Sequence, residues 1–424
     1  MSLNGANLEL KTSRSDDSPA GRDLDTQPAA APRPRTVRIG LLGYGRVGQA
    51  VAATATRERD RLAGAGVRLT CHHALVRDVR KPRSGPPLGL YDDGGAIVNA
   101  RVDVIVEALG DAEPARTLLT RALERGIPVV TANKTLVAHH GRALEALARR
   151  RQTIFAFDAA VVAGVPFLGS LARRPLVSAT ERIAGVINGT SHFILTAMDG
   201  GASYQAALAE AVERGYAEPD SRADTSGRDA AEKLTILLHL AGCRDVEVAD
   251  LTCAPLDAVD AADLASAREA GGAIKPVALA SLTASRPGAW VGPVFVRRDH
   301  PFAHLSGVDN ALAITAENGH TVTFAGPGAG PDVTAVTIID DIVEAVTAHA
   351  PAPEFVRPSP RGVAAPLLRE PPASEWWLRV AGAGGRRVSI EPTQSWTSIR
   401  NTVESHRAQG RAAVALPVLA REPR

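Results

Sequence analysis

Residues 36–51, TVRIGLLGYGRVGQAV, decide the fold of the first half of this chain. A β-branched and apolar run ends at Gly43, and a segment with helical spacing begins after Gly48. Between a strand and a helix, each glycine of such a motif has a role. Gly43 allows a tight turn, Gly45 allows close approach of a pyrophosphate, and Gly48 allows close packing of helix and strand. The motif therefore favours a dinucleotide site at the helix N-terminus. A glycine-rich turn without a ligand is the alternative.

Outward from this motif, short apolar runs alternate with helical segments. The runs have strand length and fall at 67–76, 102–110, 127–133 and 153–161. Helices between such runs are typical of a parallel sheet wound by right-handed crossovers. We therefore predict a doubly wound α/β sheet of the Rossmann type for the first domain.

Beyond residue 165 the pattern changes. A long helical stretch covers 229–242, and residues 287–325 alternate in the manner of antiparallel strands, which predicts a second, α+β domain. Residues 375–424 contain one strand-like run, one helical run and a second strand-like run. These predict a small C-terminal α/β segment.

The composition excludes several classes of protein. Of 424 residues, 45% are hydrophobic and 22% are charged, which is typical of a globular chain. The net charge of +2 gives no electrostatic reason to expect nucleic acid or an anionic membrane as a partner. Three cysteines at unrelated spacings, no apolar run of membrane length and no signal-peptide core predict a cytoplasmic protein.

Polar residues follow two of the predicted strands, at the sheet edge where open α/β folds bind ligands. Arg77 and Lys81 follow the second strand and favour the 2′-phosphate of NADP, with NAD as the other possibility and a solvated basic turn as the structural alternative. Thr131 and Lys134 lie at the carboxyl end of the strand at 127–133. A lysine there can approach a substrate carboxylate or a reacting oxygen; an ordinary surface lysine is the alternative.

The densest polar run is GYAEPDSRADTSGRDAAEK, residues 215–233. Asp229 and Lys233 are spaced i, i+4 on a predicted helix, so their side chains share one face. Asp229 also falls in the first turn, where the helix dipole stabilises an anion. The chain has only five lysines, and a proton-exchanging amine is one role that arginine cannot fill. The run favours a site that binds an amine or polarises a carbonyl, with a helix salt bridge as the alternative.

These stretches together resemble homoserine dehydrogenase over residues 36–350. The matches are GLLGYGRVGQAV, VDVIVEALG, PVVTANKTLVA, AAVVAGVPF, GVINGTSHFIL, GYAEPDSRADTSGRDAAEKLTIL and FAGPGAGPDVTAVTIIDDIV. The resemblance implies interconversion of L-aspartate 4-semialdehyde and L-homoserine by hydride transfer with NAD(P)H. It also implies a homodimer formed through the middle domain.

The resemblance implies a role for each matching site residue. Lys233 is implied as the catalytic lysine, Asp229 as its orienting and substrate-binding partner, and Lys134 as a second active-site lysine. The implied substrate contacts are Glu218 and Asp224 at the amino group, Gly189 and Thr190 at the carboxylate, and Tyr216. The expected cofactor contacts are Gly43, Gly45, Arg46, Val47, Gly48, Arg77, Lys81, Thr131, Lys134 and Gly330.

Asp158 and the backbone that follows it form a candidate cation loop. One carboxylate with several carbonyl oxygens suits a hard cation, whereas a glycine-containing hinge is the alternative from the residues alone. The resemblance implies a monovalent cation, Na⁺ or K⁺, on Asp158 and the carbonyls of Val161, Ala163 and Val165.

The expected domains follow from pattern and resemblance together. They are, in chain order, a disordered extension (1–35), a dinucleotide-binding domain (36–165 with about 321–350), a substrate-binding, catalytic and dimerisation domain (166–320), a linker (351–374) and a degenerate ACT-like or unassigned segment (375–424). The last segment lacks the Asp/Asn-x-x-Gly turn and the full length of an ACT domain, so feedback control by an amino acid is not expected.

The sequence also departs from the family pattern. The family usually has Gly at Asp111, Glu at Asp158, Asn at His192 and Asp at Ala223. The missing acid at 223 leaves open a related oxidoreductase of specialised metabolism that acts on another amino-acid semialdehyde. A non-catalytic nucleotide-binding protein is the third hypothesis, and retention of both active-site lysines argues against it.

Overall fold

The computed structural model describes residues 34–83, 88–164, 180–218, 220–283, 287–328, 330–347, 369–383 and 385–420. Most of the extension expected at 1–35 and of the linker expected at 351–374 lies outside these ranges, as does Val165.

Six parallel strands form the first sheet. They are β1 (Arg35–Leu42), β2 (Val67–Leu75), β3 (Gly89–Tyr91), β4 (Val104–Glu107), β5 (Val129–Thr131) and β6 (Phe155–Ala156). Their order is β3-β2-β1-β4-β5-β6, which reverses between β1 and β4. A dinucleotide binds at such a reversal, outside the carboxyl ends of the strands. The predicted Rossmann-type sheet is confirmed.

Helices cover both faces of the first sheet. They are α1 (Arg46–Arg57), α2 (Arg59–Gly64), α3 (Gly94–Asn99), α4 (Ala112–Glu124) and α5 (Lys134–Arg150). Successive side chains of β1 point to opposite faces, so Leu41 packs in the core with α1 whereas Leu42 packs in the core with α4 and α5. Both faces are apolar because both are covered.

Eight strands form the second sheet, in the order β11-β10-β7-β8-β9-β14-β12-β13. They are β7 (Thr180–Val186), β8 (Gly272–Ser281), β9 (Gly288–Arg297), β10 (Asp309–Ala316), β11 (Thr321–Pro327), β12 (Ser374–Gly382), β13 (Gly385–Gln394) and β14 (Ala412–Leu419). The pairs are antiparallel except for β14 with β9. The antiparallel strands predicted between 287 and 325 are therefore present.

The remaining helices lie later in the chain, and all of them except α11 pack on or beside the second sheet. They are α6 (Gly189–Asp199), α7 (Tyr204–Glu213), α8 (Arg222–Thr225), α9 (Arg228–Leu240), α10 (Ala261–Glu269), α11 (Pro331–Thr347) and α12 (Trp396–Ala408). Helix α9 also packs on α5 of the first domain, which places the start of α9 beside the carboxyl edge of the first sheet. None of the helices in the described ranges has the length and apolarity needed to cross a bilayer.

The C-terminal segment is joined to the second sheet. The predicted strand, helix and strand are β12, α12 and β14, and the structure adds β13, which pairs with β12. Nε and Nη2 of Arg379 donate to the two carboxylate oxygens of Asp263 on α10, each at 3.0 Å, and both side chains are buried. Because removing one partner would leave a buried charge, this pair fixes the segment on α10.

The predicted domain boundaries remain a prediction. Strand β11, which the sequence places with the first domain, pairs with β10 in the second sheet. Helix α11, in contrast, packs against α1. A boundary drawn on hydrogen bonding would fall after Pro327.

Candidate active site

The glycine-rich turn after β1 has the geometry of a phosphate-binding turn. Gly43 has a φ of +107°, and a Cβ there would lie 2.5 Å from the carbonyl oxygen of Ala108, so only glycine fits. Gly45 caps the N-terminus of α1, and a Cβ there would meet nothing within 4 Å. The turn is therefore tight at Gly43, between the ends of β1 and β4, and open at Gly45, at the N-terminus of α1. The open position suits approach of a pyrophosphate.

The outer rim of this crevice carries charge. Arg77, just beyond β2, pairs with Asp111 at 3.5 Å, and both side chains are exposed. Asp111 is the N-cap of α4, so the pair spans the point where the strand order reverses. Lys81 is exposed in the same turn as Arg77, and its carbonyl accepts a hydrogen bond from Arg83. The predicted roles of Arg77 and Lys81 stay predictions.

Beneath the crevice, a buried carboxylate joins the ends of β4 and β5. Glu107 accepts hydrogen bonds from the backbone N–H of Leu109 at 2.7 Å and from the hydroxyl of Thr131. The Asn133 amide also donates to Glu107, at 3.4 Å, and its oxygen caps α5 by accepting from Leu136 N–H at 2.9 Å. The network therefore fixes the start of α5.

The first residue of α5 meets the first turn of α9. Asp229 receives Nζ of Lys134 at 3.2 Å on one oxygen and Nζ of Lys233 at 2.9 Å on the other. Lys233 also donates to the carbonyl oxygen of Ile187 at 2.8 Å. The structure thus brings together the three residues that the sequence singled out for catalysis, from two domains.

The electrostatics of this cluster favour its charged form. Burial raises the pKa of Asp229, but the charges of Lys233 and Lys134 outweigh it and lower the pKa to about 2. For Lys134, burial lowers the pKa, and the charge of Asp229 outweighs burial so that the net shift is upward. The carboxylate therefore stays ionised at neutral pH and holds Lys134 as a cation.

A second carboxylate joins the cluster through an asparagine. The amide of Asn188 donates to Asp224 at 2.8 Å and to Asp229 at 2.7 Å, while its oxygen caps α6 by accepting from Ser191 N–H at 2.7 Å. Burial raises the pKa of Asp224, and the bond from Asn188 opposes the rise. Asp224 thus lies within the same polar site as Asp229.

The predicted carboxylate-binding end lies at the N-terminus of α6. Gly189 and Thr190 are its first two residues, and the Thr190 hydroxyl donates to the carbonyl oxygen of Tyr216 at 2.7 Å. The ring of Tyr216 packs on Phe193 with centroids 5.0 Å apart. Glu218, two residues on, is exposed. A helix N-terminus beside these groups suits an anionic substrate end.

Comparison with known proteins identifies the family. Residues 43–158 match the NAD binding domain model of homoserine dehydrogenase, and residues 166–343 match the homoserine dehydrogenase model. The homoserine dehydrogenase of Corynebacterium glutamicum is 38% identical over 318 residues, 73% of this chain and 72% of that protein. The chain belongs to the homoserine dehydrogenase family.

Solved structures from the homoserine dehydrogenase family share the fold. A homoserine dehydrogenase from Thiobacillus denitrificans aligns with a TM-score of 0.80 at 24% identity, over 92% of this chain and 99% of that one. A hyperthermophilic archaeal homoserine dehydrogenase in complex with NADPH aligns with a TM-score of 0.62 at 26% identity, over 73% of this chain and 98% of that one. The recognised family, the fold class and an oxidoreductase using a nicotinamide cofactor are thereby confirmed.

The departures from the homoserine dehydrogenase pattern have distinct surroundings. Ala223 lies exposed on α8, one residue before Asp224. His192 is fully buried, with Nδ1 at 2.9 Å from the carbonyl oxygen of Asp309 and Nε2 without a hydrogen-bond partner. Burial, together with the charge of Lys275, lowers the pKa of His192 to about 4, so the ring is neutral.

Sequence reasoning missed Glu107 and Asn188. An acid that closes the otherwise apolar run VDVIVEALG was a usable signal, because a buried carboxylate requires partners. Asn188 precedes α6 in GVINGTSHFIL, where an N-cap was predictable but its bonds to two distant carboxylates were not.

The candidate cation loop lies against α11. Gly164 N–H donates to the Thr337 hydroxyl at 3.0 Å, and one turn later Asp341 is buried with Oδ2 lacking a hydrogen-bond partner. Burial raises the pKa of Asp341, and the charge of Asp158 raises it further. A cation would satisfy this oxygen, so the residues fit the predicted group. Val161 and Ala163 are buried in the described loop, whereas Val165 lies outside the described residues.

Proposed function

We propose that this chain interconverts L-aspartate 4-semialdehyde and L-homoserine with Lys233 as the general acid and base. The observation that carries the proposal is the single Asp229 carboxylate shared by Lys233 and Lys134. An isolated i, i+4 salt bridge needs no second lysine from another domain. Two lysines that share one carboxylate beside a dinucleotide crevice suit the reduction of a carbonyl group.

Lys233 is held in a defined position. Asp229 and the carbonyl oxygen of Ile187 orient its ammonium, and the Lys233 side chain is 14% exposed, which leaves it accessible to a ligand. When bound, NAD(P)H supplies the hydride to the aldehyde carbon. Lys233 gives a proton to the developing alkoxide, and Lys134 adds positive charge near that oxygen; general acid help of this kind is worth about 10²–10⁴-fold.

The substrate's charged ends are assigned to two neighbouring groups of residues. Asp224 and Glu218 bind the amino group, and Tyr216 is a further substrate contact. Gly189 and Thr190 at the N-terminus of α6 bind the carboxylate, where the helix dipole favours an anion.

We propose NADP as the preferred cofactor, with its 2′-phosphate on Arg77 and Lys81. Basic side chains just beyond β2 support this assignment. Gly43, Gly45, Arg46, Val47 and Gly48 would hold the pyrophosphate, and Thr131, Lys134 and Gly330 the nicotinamide half. The open space at Gly45 supports the first group.

We propose that a Na⁺ or K⁺ ion binds at Asp158 and the carbonyls of Val161, Ala163 and Val165. The unpartnered oxygen of Asp341 supports a cation there. The resemblance to the family supports a homodimer through the middle domain, and the composition supports a cytoplasmic location.

A substrate panel tests the proposed function. Purified chain is mixed with NADP⁺ or NAD⁺ and with homoserine or related amino alcohols, and formation of the reduced nicotinamide is followed by absorbance. We expect fastest turnover with homoserine and NADP⁺. Turnover of a different amino alcohol at a higher kcat/KM would establish the related oxidoreductase instead.

A further inference from the structure

Glu107 is a buried carboxylate that the reaction described above leaves unused. It is the last residue of β4 and is 0% exposed. Leu109 N–H and the Asn133 amide donate to one oxygen, at 2.7 and 3.4 Å, and the Thr131 hydroxyl donates to the other. The segments that end β4 and β5, at the carboxyl edge of the sheet, therefore converge on one side chain.

The hydrogen-bond donors around Glu107 suit its ionised form. The Thr131 hydroxyl oxygen accepts from Asn133 N–H at 3.0 Å, and its own proton is donated to Glu107. Both carboxylate oxygens are then acceptors, as in the ionised form. Burial raises the pKa of Glu107, and these bonds limit the rise without cancelling it. In the described part of the chain no ion pair includes Glu107, and Lys134 pairs with Asp229 instead.

This negative charge lies under one half of the crevice. The glycine-rich turn follows β1, where the strand order reverses. A dinucleotide held there would have its pyrophosphate at this turn and one of its halves on each side. With the adenosine half on the Arg77 side, the ends of β4 and β5, where Glu107 lies, would hold the nicotinamide half. An oxidised nicotinamide ring carries a positive charge, whereas the reduced ring is neutral.

We propose that Glu107 is a positioning residue whose buried charge makes the site favour the oxidised nicotinamide over the reduced one. The proposal rests on the proposed function, because it requires a nicotinamide at this edge. When a nicotinamide is bound, the Glu107 carboxylate would stabilise the positive charge that the ring gains on oxidation. The hydrogen bonds from Thr131 and Asn133 to Glu107 also hold the loop between β5 and α5, and the start of α5, in place.

The test is the ratio of the dissociation constants of NADP⁺ and NADPH in Glu107→Gln. We expect the Kd of NADP⁺ to rise about tenfold, because the neutral amide no longer attracts the positive ring. The Kd of NADPH should rise less than about threefold. Calorimetry gives the first constant and cofactor fluorescence gives the second, without any substrate.

Matched variants separate charge from structure. Glu107→Asp and Glu107→Asn repeat the comparison with a shorter side chain. The ratio of the two dissociation constants should change in Glu107→Asn, which is neutral, and not in Glu107→Asp, which keeps the charge. Glu124→Gln removes an exposed charge from the far end of α4 and should leave both constants unchanged. Equal weakening of both cofactor forms in Glu107→Gln, or no weakening, would overturn the proposal. Failure of the unmutated chain to bind either form would instead contradict the proposed function.

Discussion

The Nζ of Lys233 lies 2.9 Å from Oδ2 of Asp229, one helical turn earlier on α9. The spacing alone is compatible with a surface salt bridge worth a few tenths of a kcal/mol. The surroundings are different, because Asp229 is buried and its second oxygen receives Lys134 from the other domain. The pair therefore belongs to a shared polar site, and predictions about each part of that site follow.

Cofactor preference should respond to the Arg77–Asp111 pair. Arg77→Ala should raise the KM for NADPH by about tenfold with little change for NADH, because a charged hydrogen bond to the 2′-phosphate is lost. Asp111→Gly removes the competing partner of Arg77 and should lower the KM for NADPH. Arg80→Ala, an exposed neighbour in the same turn, is the control. Equal changes for both cofactors in Arg77→Ala would contradict the assignment.

The missing acid at position 223 should be restorable. Ala223 is exposed beside Asp224, so Ala223→Asp places a second carboxylate near the substrate amino group. We expect the KM for homoserine to fall about threefold, the scale of a solvated ion pair. Ala223→Asn keeps the size without the charge and should leave the KM unchanged. A higher KM in Ala223→Asp would show that the amino group lies elsewhere.

His192 should make the stability of the fold depend on pH. Its folded pKa of about 4 lies below the ordinary value of 6.5, so only the unfolded chain binds a proton between these limits. Stability is therefore complete above pH 6.5 and falls as pH drops toward 4, by up to about 3 kcal/mol. His192→Asn should remove that part of the slope of urea unfolding midpoints against pH. If the urea unfolding midpoints of His192→Asn and of the exposed control His320→Asn depended equally on pH, this account would be contradicted.

The cation site should be visible in thermal stability. We expect KCl or NaCl to raise the melting temperature of the unmutated chain above that in choline chloride at equal ionic strength. Asp341→Asn should abolish this difference, because the unpartnered carboxylate oxygen is replaced. Asp340→Asn, the exposed neighbour on α11, should retain it. A salt response without cation selectivity would count against a cation at Asp158.

Local patterns predicted the first sheet except for its short edge strand β3, and they predicted the paired residues, but not the contacts between distant segments. Gly43 and Gly48 are required because neighbouring backbone leaves no room for a side chain. Asp229 and Lys233 meet because they are one helical turn apart. Spacing along the sequence was therefore sufficient to predict both. Lys134 reaches Asp229 only through packing of α5 on α9, which no spacing encodes. Strand β13 was missed because GRRVSIEPTQ, at the sheet edge, is largely polar and shows no clear apolar alternation.

The most direct test is turnover of homoserine with NADP⁺ by Lys233→Ala and Lys233→Arg, measured by absorbance of the reduced cofactor. Arginine keeps the positive charge but does not give up its proton at working pH, so charge and proton transfer are separated. We predict that both variants lose at least about a hundredfold in kcat while their Kd for NADPH stays near that of the unmutated chain. A kcat in either variant close to the unmutated value would contradict proton transfer by Lys233.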